Sequence, residues 1–133
     1  MKVAVYWNLH RQCWSIQSRR RENYGKVIAH AREISIEGAT YKVNEGGRQR
    51  VLRERKKNVH AFVVGTLRWF RDLEGYLHEI LLNAQNRITA KMQEVTYNPY
   101  KHECFVMKGM GEPIFDSLEA YLTPSKKVYA IYW

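Results

Sequence analysis

At 133 residues, 45% of them hydrophobic and 13% aromatic, the chain carries enough apolar mass for one packed domain and too much for a disordered tail. No run approaches the roughly 18 apolar residues of a membrane helix, and two distant thiols, Cys13 and Cys104, make neither a zinc motif nor a disulfide framework. The net charge of +9 is one-sided: residues 1–68 hold fifteen Lys/Arg against five Asp/Glu, and residues 69–133 hold seven against eight. Such a field predicts a polyanionic partner, most commonly nucleic acid; the bland alternative is a basic domain without one.

The first elements read as strands. Residues 2–9 alternate, with Val3, Val5, Trp7 and Leu9 facing one way. His10 and Arg11 form a short turn into a second strand over residues 12–18, with Trp14 and Ile16 inward, which predicts a hairpin. The apolar run after Lys2 breaks at Asn8, too soon for a secretory leader, so a cytoplasmic location is expected. The next loop sets Arg19, Arg20 and Arg21 before Tyr24 and Gly25. Three consecutive arginines make either a solvated loop or a finger that touches phosphate. Residues 26–37 continue as strand, with Ile28, His30, Ile34 and Ile36 on one side. Glu37 to Ala39 turn the chain into a short strand at 40–43.

Residues 44–65, NEGGRQRVLRERKKNVHAFVVG, change character midway. Asn44 is a good helix N-cap, and Gly46 and Gly47 leave the first turn open to an approaching anion. The helix that follows is basic, carrying Arg48, Arg50, Arg53, Arg55, Lys56 and Lys57 against Glu45 and Glu54, with a narrow apolar seam at Val51 and Leu52. From Val59 to Val64 both alternating sets are largely apolar, as in a central strand.

Beyond Gly65, Phe70, Leu73, Leu77, Ile80, Leu81 and Ala84 recur at spacings of three and four, which predicts a longer amphipathic helix over 69–84, weakened by Gly75. Residues 85–93 extend that helix or loop out. Val95 and Tyr97 end a strand, Asn98-Pro99 is a turn, and a short strand covers Cys104 to Met107. Residues 114–122 fit helix or strand, and residues 128–133 close the chain as a strand. Connections this short disfavour parallel crossovers. The expected fold class is α+β: a single domain with a mainly antiparallel sheet, one basic helix and one longer amphipathic helix.

Chemical motifs are sparse. The histidines show no metal-binding spacing, the carboxylates show no pair that would hold magnesium, and no phosphate or dinucleotide loop is present, so neither metal nor cofactor is expected. His10, His30 and His60 supply acid and base for a metal-independent ribonuclease if their strands converge, with Arg or Lys to stabilise the phosphorane; packing roles are the commoner fate of strand histidines. Tyr6, Trp7, Trp14, Tyr24, Tyr41, Trp69, Tyr97 and Tyr100 interleave with bases, a pattern suited to stacking unpaired bases and favouring RNA over DNA, although half or more of them are needed for the core.

The stretches NVHAFVVG (58–65), preceded by GRQRVLRERKK (47–57), and VTYNPYKHECFV (95–106), followed by GEPI (111–114), resemble small basic proteins of unknown role encoded by proteobacterial phages and prophages. The resemblance implies a small phage product acting in the bacterial host cytoplasm on nucleic acid or a nucleoprotein; inhibitors of host defence, anti-CRISPR proteins among them, come from that pool. The leading expectation is an RNA-binding protein that uses Arg19–Arg21 and the Arg48–Lys57 helix, able to block a host defence complex such as a CRISPR effector. A ribonuclease, or a module docking on an acidic host protein, are the alternatives.

Overall fold

A computed structural model describes residues 1–81 and 91–132. Among the described residues there are nine strands and one α-helix: β1 (Lys2–Asn8), β2 (Cys13–Ser18), β3 (Val27–Val43), α1 (Glu45–Glu54), β4 (Ala61–Asp72), β5 (Leu77–Glu79), β6 (Lys91–Thr96), β7 (Val106–Met107), β8 (Asp116–Leu122) and β9 (Val128–Tyr132). A single 3-10 turn, Arg21–Asn23, sits in the arginine loop. Every strand pairing is antiparallel, as the short connections require.

The first four strands close on themselves. β1 pairs with β2, β2 with β3, β3 with β4, and β4 back with β1. From β3 the sheet continues through β8, β9, β6 and β7. β4 is therefore flanked on both edges, which explains why it is apolar on both faces and why Val63 is buried. The core gathers Val3, Val5, Ile16, Ile34, Ile36, Leu67 and Leu122, and the Trp14 indole crosses it to donate to the Thr123 carbonyl at 2.7 Å. Beside the core, buried Arg68 donates to Ser35 Oγ (3.1 Å) and Glu119 Oε2 (3.0 Å), so its charge is desolvated with a partner in place.

Residues 27–43 form one strand rather than two, because the register shifts between Glu37 and Thr40 and absorbs the expected turn as a bulge. Gly65 of β4 packs against that bulge. A Cβ there would lie 2.5 Å from Ile36 Cγ2 and 2.8 and 2.9 Å from the carbonyl oxygens of Glu37 and Gly38. Ile28, expected inward, is exposed near the strand's start. Residues 116–122 resolve as strand, held between β3 and β9.

Among the described residues the second helix is absent. β4 runs on to Asp72 and folds back as β5, so Phe70 pairs with His78 where a helix over 69–84 was expected. Two forces favour the hairpin. β3 offers a pairing partner along the whole of β4, and Asp72 Oδ1 accepts the amides of Glu74 (3.0 Å) and Tyr76 (2.9 Å), an Asx turn completed by Gly75 at φ +97°. The spacing of three and four is coincidental: Leu73, Leu77, Ile80 and Leu81 are all exposed. Ala84 and residues 85–90 lie outside the described residues; residues 91–93 begin β6.

Candidate nucleic-acid interface

The basic helix starts where Asn44 places it but ends at Glu54, so Arg55, Lys56 and Lys57, expected within it, follow it as the C-cap and the segment leading to β4. Asn44 Oδ1 accepts the Gly47 amide at 2.9 Å, and Arg55, in the left-handed region, returns its amide to Val51 O at 2.8 Å. The expected anion site on the first turn does not survive this geometry. The Gly47 amide is spent on the cap, and Gly47 is there for close packing: a Cβ would lie 2.5 Å from His60 Cβ. The helix thus lies tight against the start of β4, with Val51 buried beneath it.

Its cations divide into two groups. Arg48 turns inward with a side chain only 11% exposed; its Nε donates to His102 O (2.8 Å) and Pro99 O (3.2 Å), and its Nη1 meets Glu45 at 3.1 Å. It fastens the helix to the loop after β6. Arg50 pairs with Glu54 at 3.0 Å in the open. Arg53, Arg55, Lys56 and Lys57 are exposed and, among the described residues, have no carboxylate partner. At the β2–β3 loop Arg19 is likewise engaged: it donates to the Tyr24 hydroxyl and lies 4.7 Å from the Tyr24 ring centre and 5.6 Å from that of Phe62. Arg20 and Arg21 are exposed and, among the described residues, have no carboxylate partner.

Next to the helix C-terminus opens a cleft of about 760 Å³. The β1 end and its turn supply Tyr6, Trp7, Asn8, Leu9 and His10; the segment before β4 supplies Lys57, Asn58, Val59 and His60; the loop after β6 supplies Tyr97 to Tyr100; and Lys126 comes from the turn before β9. Among the described residues no carboxylate lines it. Tyr100 and Val59 are exposed on its walls. The volume lies within the roughly 300–1,000 Å³ of small-ligand sites.

His60 sits buried in the floor. Its Nδ1 is 3.1 Å from both the backbone and side-chain oxygens of Asn58, and its Nε2 is 2.7 Å from the Tyr97 hydroxyl. A carbonyl can only accept, so Nδ1 carries the proton and the Tyr97 hydroxyl donates to Nε2. Burial pushes the Tyr97 phenol up to about 12, with Arg48 opposing, so it stays protonated. His10 opens on the same cleft, but His30 does not line it. His30 instead approaches Ser15 Oγ (3.0 Å) and Cys13 Sγ (4.0 Å) at the β2–β3 pairing. Burial, helped by Arg11, holds the His30 pKa below its usual value, and burial raises that of Cys13 despite Arg11. The pair is neutral imidazole and thiol, without a thiolate nucleophile. The three histidines therefore do not converge as one catalytic set.

Sequence reasoning missed Asn58 and Lys126. The second had a signal in the Pro-Ser-Lys-Lys turn; the first had none, because its role depends on His60 across two residues of non-regular chain. No helix among the described residues is long and apolar enough to cross a membrane.

The family model for the Mycobacterium phage L5 gene 82 protein matches residues 1–130. The Gene 82 protein of Mycobacterium phage L5 is 31% identical over 94% of this chain and 92% of its own length. No solved structure matches. The expected phage kinship stands on these likenesses; the expected proteobacterial source does not, the relative being a mycobacteriophage protein. The chain belongs to the Mycobacterium phage L5 gene 82 protein family.

Proposed function

We propose that this protein binds single-stranded nucleic acid, RNA before DNA, with bases seated in the cleft beside β1 and phosphates on the cations at the end of α1. The observation that carries the proposal is the make-up of the cleft: aromatic rings and lysines with no facing carboxylate among the described residues. Exposed Tyr100 and half-buried Trp7 line the cleft together with Lys57 and Lys126, and Arg53, Arg55 and Lys56 are exposed close by in the chain. Stacking plus a cationic groove is the usual chemistry of single-strand binding, and splayed, stacked bases are the main mode of RNA recognition. Arg20 and Arg21 form a separate exposed basic point at the β2–β3 loop. In a phage family this chemistry suits occupation of unpaired RNA in a host nucleoprotein, a CRISPR effector being one such target.

Strand cleavage is the lesser reading. His10 is open to the cleft, but both ring nitrogens of His60 are already engaged, which leaves no lone pair for a 2′-hydroxyl proton. Labelled RNA incubated with the protein in EDTA separates the two on a gel: shifted, intact RNA is expected, and discrete fragments would favour the nuclease. Binding itself is tested by anisotropy with matched single-stranded RNA, single-stranded DNA and duplex RNA. Tightest binding to single-stranded RNA is expected; a preference for duplex would overturn the proposal.

A further inference from the structure

We infer that the cleft holds unpaired bases by their faces and does not read their edges, so the chain binds single strands with little regard to sequence. This deepens the single-strand reading above and rests on it. Discrimination among bases needs paired contacts: Asn or Gln for adenine, the fork of Arg or, with less fixed geometry, Lys for guanine, and a carboxylate for the cytosine amino group. The cleft has the first kind, but its members are turned to internal use. Asn8 Oδ1 accepts the amides of His10 and Arg11, both at 3.1 Å, and its Nδ2 donates to buried Ser15 Oγ at 3.2 Å. Asn58 Oδ1 receives His60 Nδ1 at 3.1 Å, and its Nδ2 reaches Gly47 O at 3.4 Å. Asn98 Oδ1 accepts the Tyr100 amide at 3.0 Å, which leaves only the Nδ2 side of that amide.

Among the described residues no arginine lines the cleft. Arg48, whose charge acts on Tyr97, has its Nε on the carbonyls of Pro99 and His102 and its Nη1 on Glu45, so its fork faces the protein. No carboxylate lines the cleft among the described residues. What remains are ring faces, lysine ammonium groups and two single-point hydrogen-bonding groups, the His10 ring and the Asn98 Nδ2. Every base has a π-face and every nucleotide a phosphate, and a flexible ammonium or a single donor lacks the fixed paired geometry that tells one base from another. The spent amides have a structural reason. Asn8 and Asn98 hold turns by accepting nearby backbone amides, the usual local bonding of short polar side chains, and Asn58 ties His60 to the helix at Gly47.

The test is anisotropy with labelled oligo(U), oligo(C) and oligo(A) of equal length, against wild type and Tyr100→Ala. Wild type should bind the three within about fivefold of one another, and Tyr100→Ala should weaken all three by a similar factor of roughly fivefold or more. A preference of roughly tenfold or more for one base would show that an edge is read, and would overturn this inference while leaving single-strand binding standing. Binding to none of the three would overturn both. An unequal loss in Tyr100→Ala, confined to one homopolymer, would also refute face-only contact. Tyr100 is exposed at its loop, so the variant keeps the fold, which circular dichroism checks.

Discussion

Replacing Arg48 with alanine separates a structural arginine from its binding neighbours. The guanidinium reaches two part-buried backbone carbonyls, at 2.8 and 3.2 Å, and its side chain is 11% exposed. Leaving those carbonyls unpaired costs about 1 kcal/mol each, at the low end because water can partly replace the donor. Losing the buried methylene stem adds about 1 kcal/mol, and the pair with exposed Glu45 adds next to nothing. The total is about 3 kcal/mol. With an unfolding entropy of about 2.1 cal/mol/K per residue, a chain of this length loses about 10 °C of melting temperature. Arg53→Ala, at an exposed site, should stay within about 2 °C yet lower the salt dependence of RNA binding. Thermal melts by circular dichroism and salt titrations of affinity provide the two readouts. If Arg48→Ala melts like wild type and loses as much salt dependence as Arg53→Ala, Arg48 is a phosphate contact and the inward placement is refuted.

Three further changes follow from the fold. Gly65→Ala forces a methyl against Ile36 and two carbonyls of the β3 bulge and should cost about 1–3 kcal/mol; an unshifted urea midpoint would show that β3 and β4 separate easily there. His30 is held below the usual imidazole value of 6.5 by burial and then Arg11, so the unfolded chain protonates first on acidification. Its contribution to stability is complete above about pH 6.5 and shrinks as pH falls toward the folded value; His30→Gln should flatten the melting temperature over that window, and an unchanged slope would refute it. Burial pushes the Glu33 carboxyl up, but the Tyr121 hydroxyl and Arg71 outweigh it and hold it below 4.5. That stability is present above about pH 4.5 and lost as pH falls through the folded value, so Glu33→Gln should lower the melting temperature at neutral pH and remove part of the acid slope. Equal acid slopes in the two proteins would speak against it.

Local signals were the legible ones. Asn44 caps its helix with its own side chain, and the doubly apolar run becomes, from Ala61 on, a strand paired on both edges, with Val59 left exposed before it, because cap and period act over a few residues. The 69–84 stretch misled because an apolar period of three to four suits a helix only when a face is buried, whereas β3 supplied a longer pairing surface. The Asp72–Gly75 turn was the overlooked clue. Within the site, a count of charges treated Arg48 and Arg53 alike. The helical period did distinguish them: Arg48 lies three and four residues before Val51 and Leu52, on the stripe that packs inward. The cleft was beyond reach, since its walls come from residues 6–10, 57–61, 96–100 and 126, which only the long-range pairings bring together.

The most direct measurement is to photocrosslink a single strand carrying 4-thiouridine to the wild-type protein and map the adducts by mass spectrometry. Adducts on Trp7, Tyr100 or Lys57 are expected, lost when unlabelled strand competes. Adducts confined to Tyr24 and the Arg19–Arg21 loop, or competed away only by duplex, would contradict a single-strand site in the cleft.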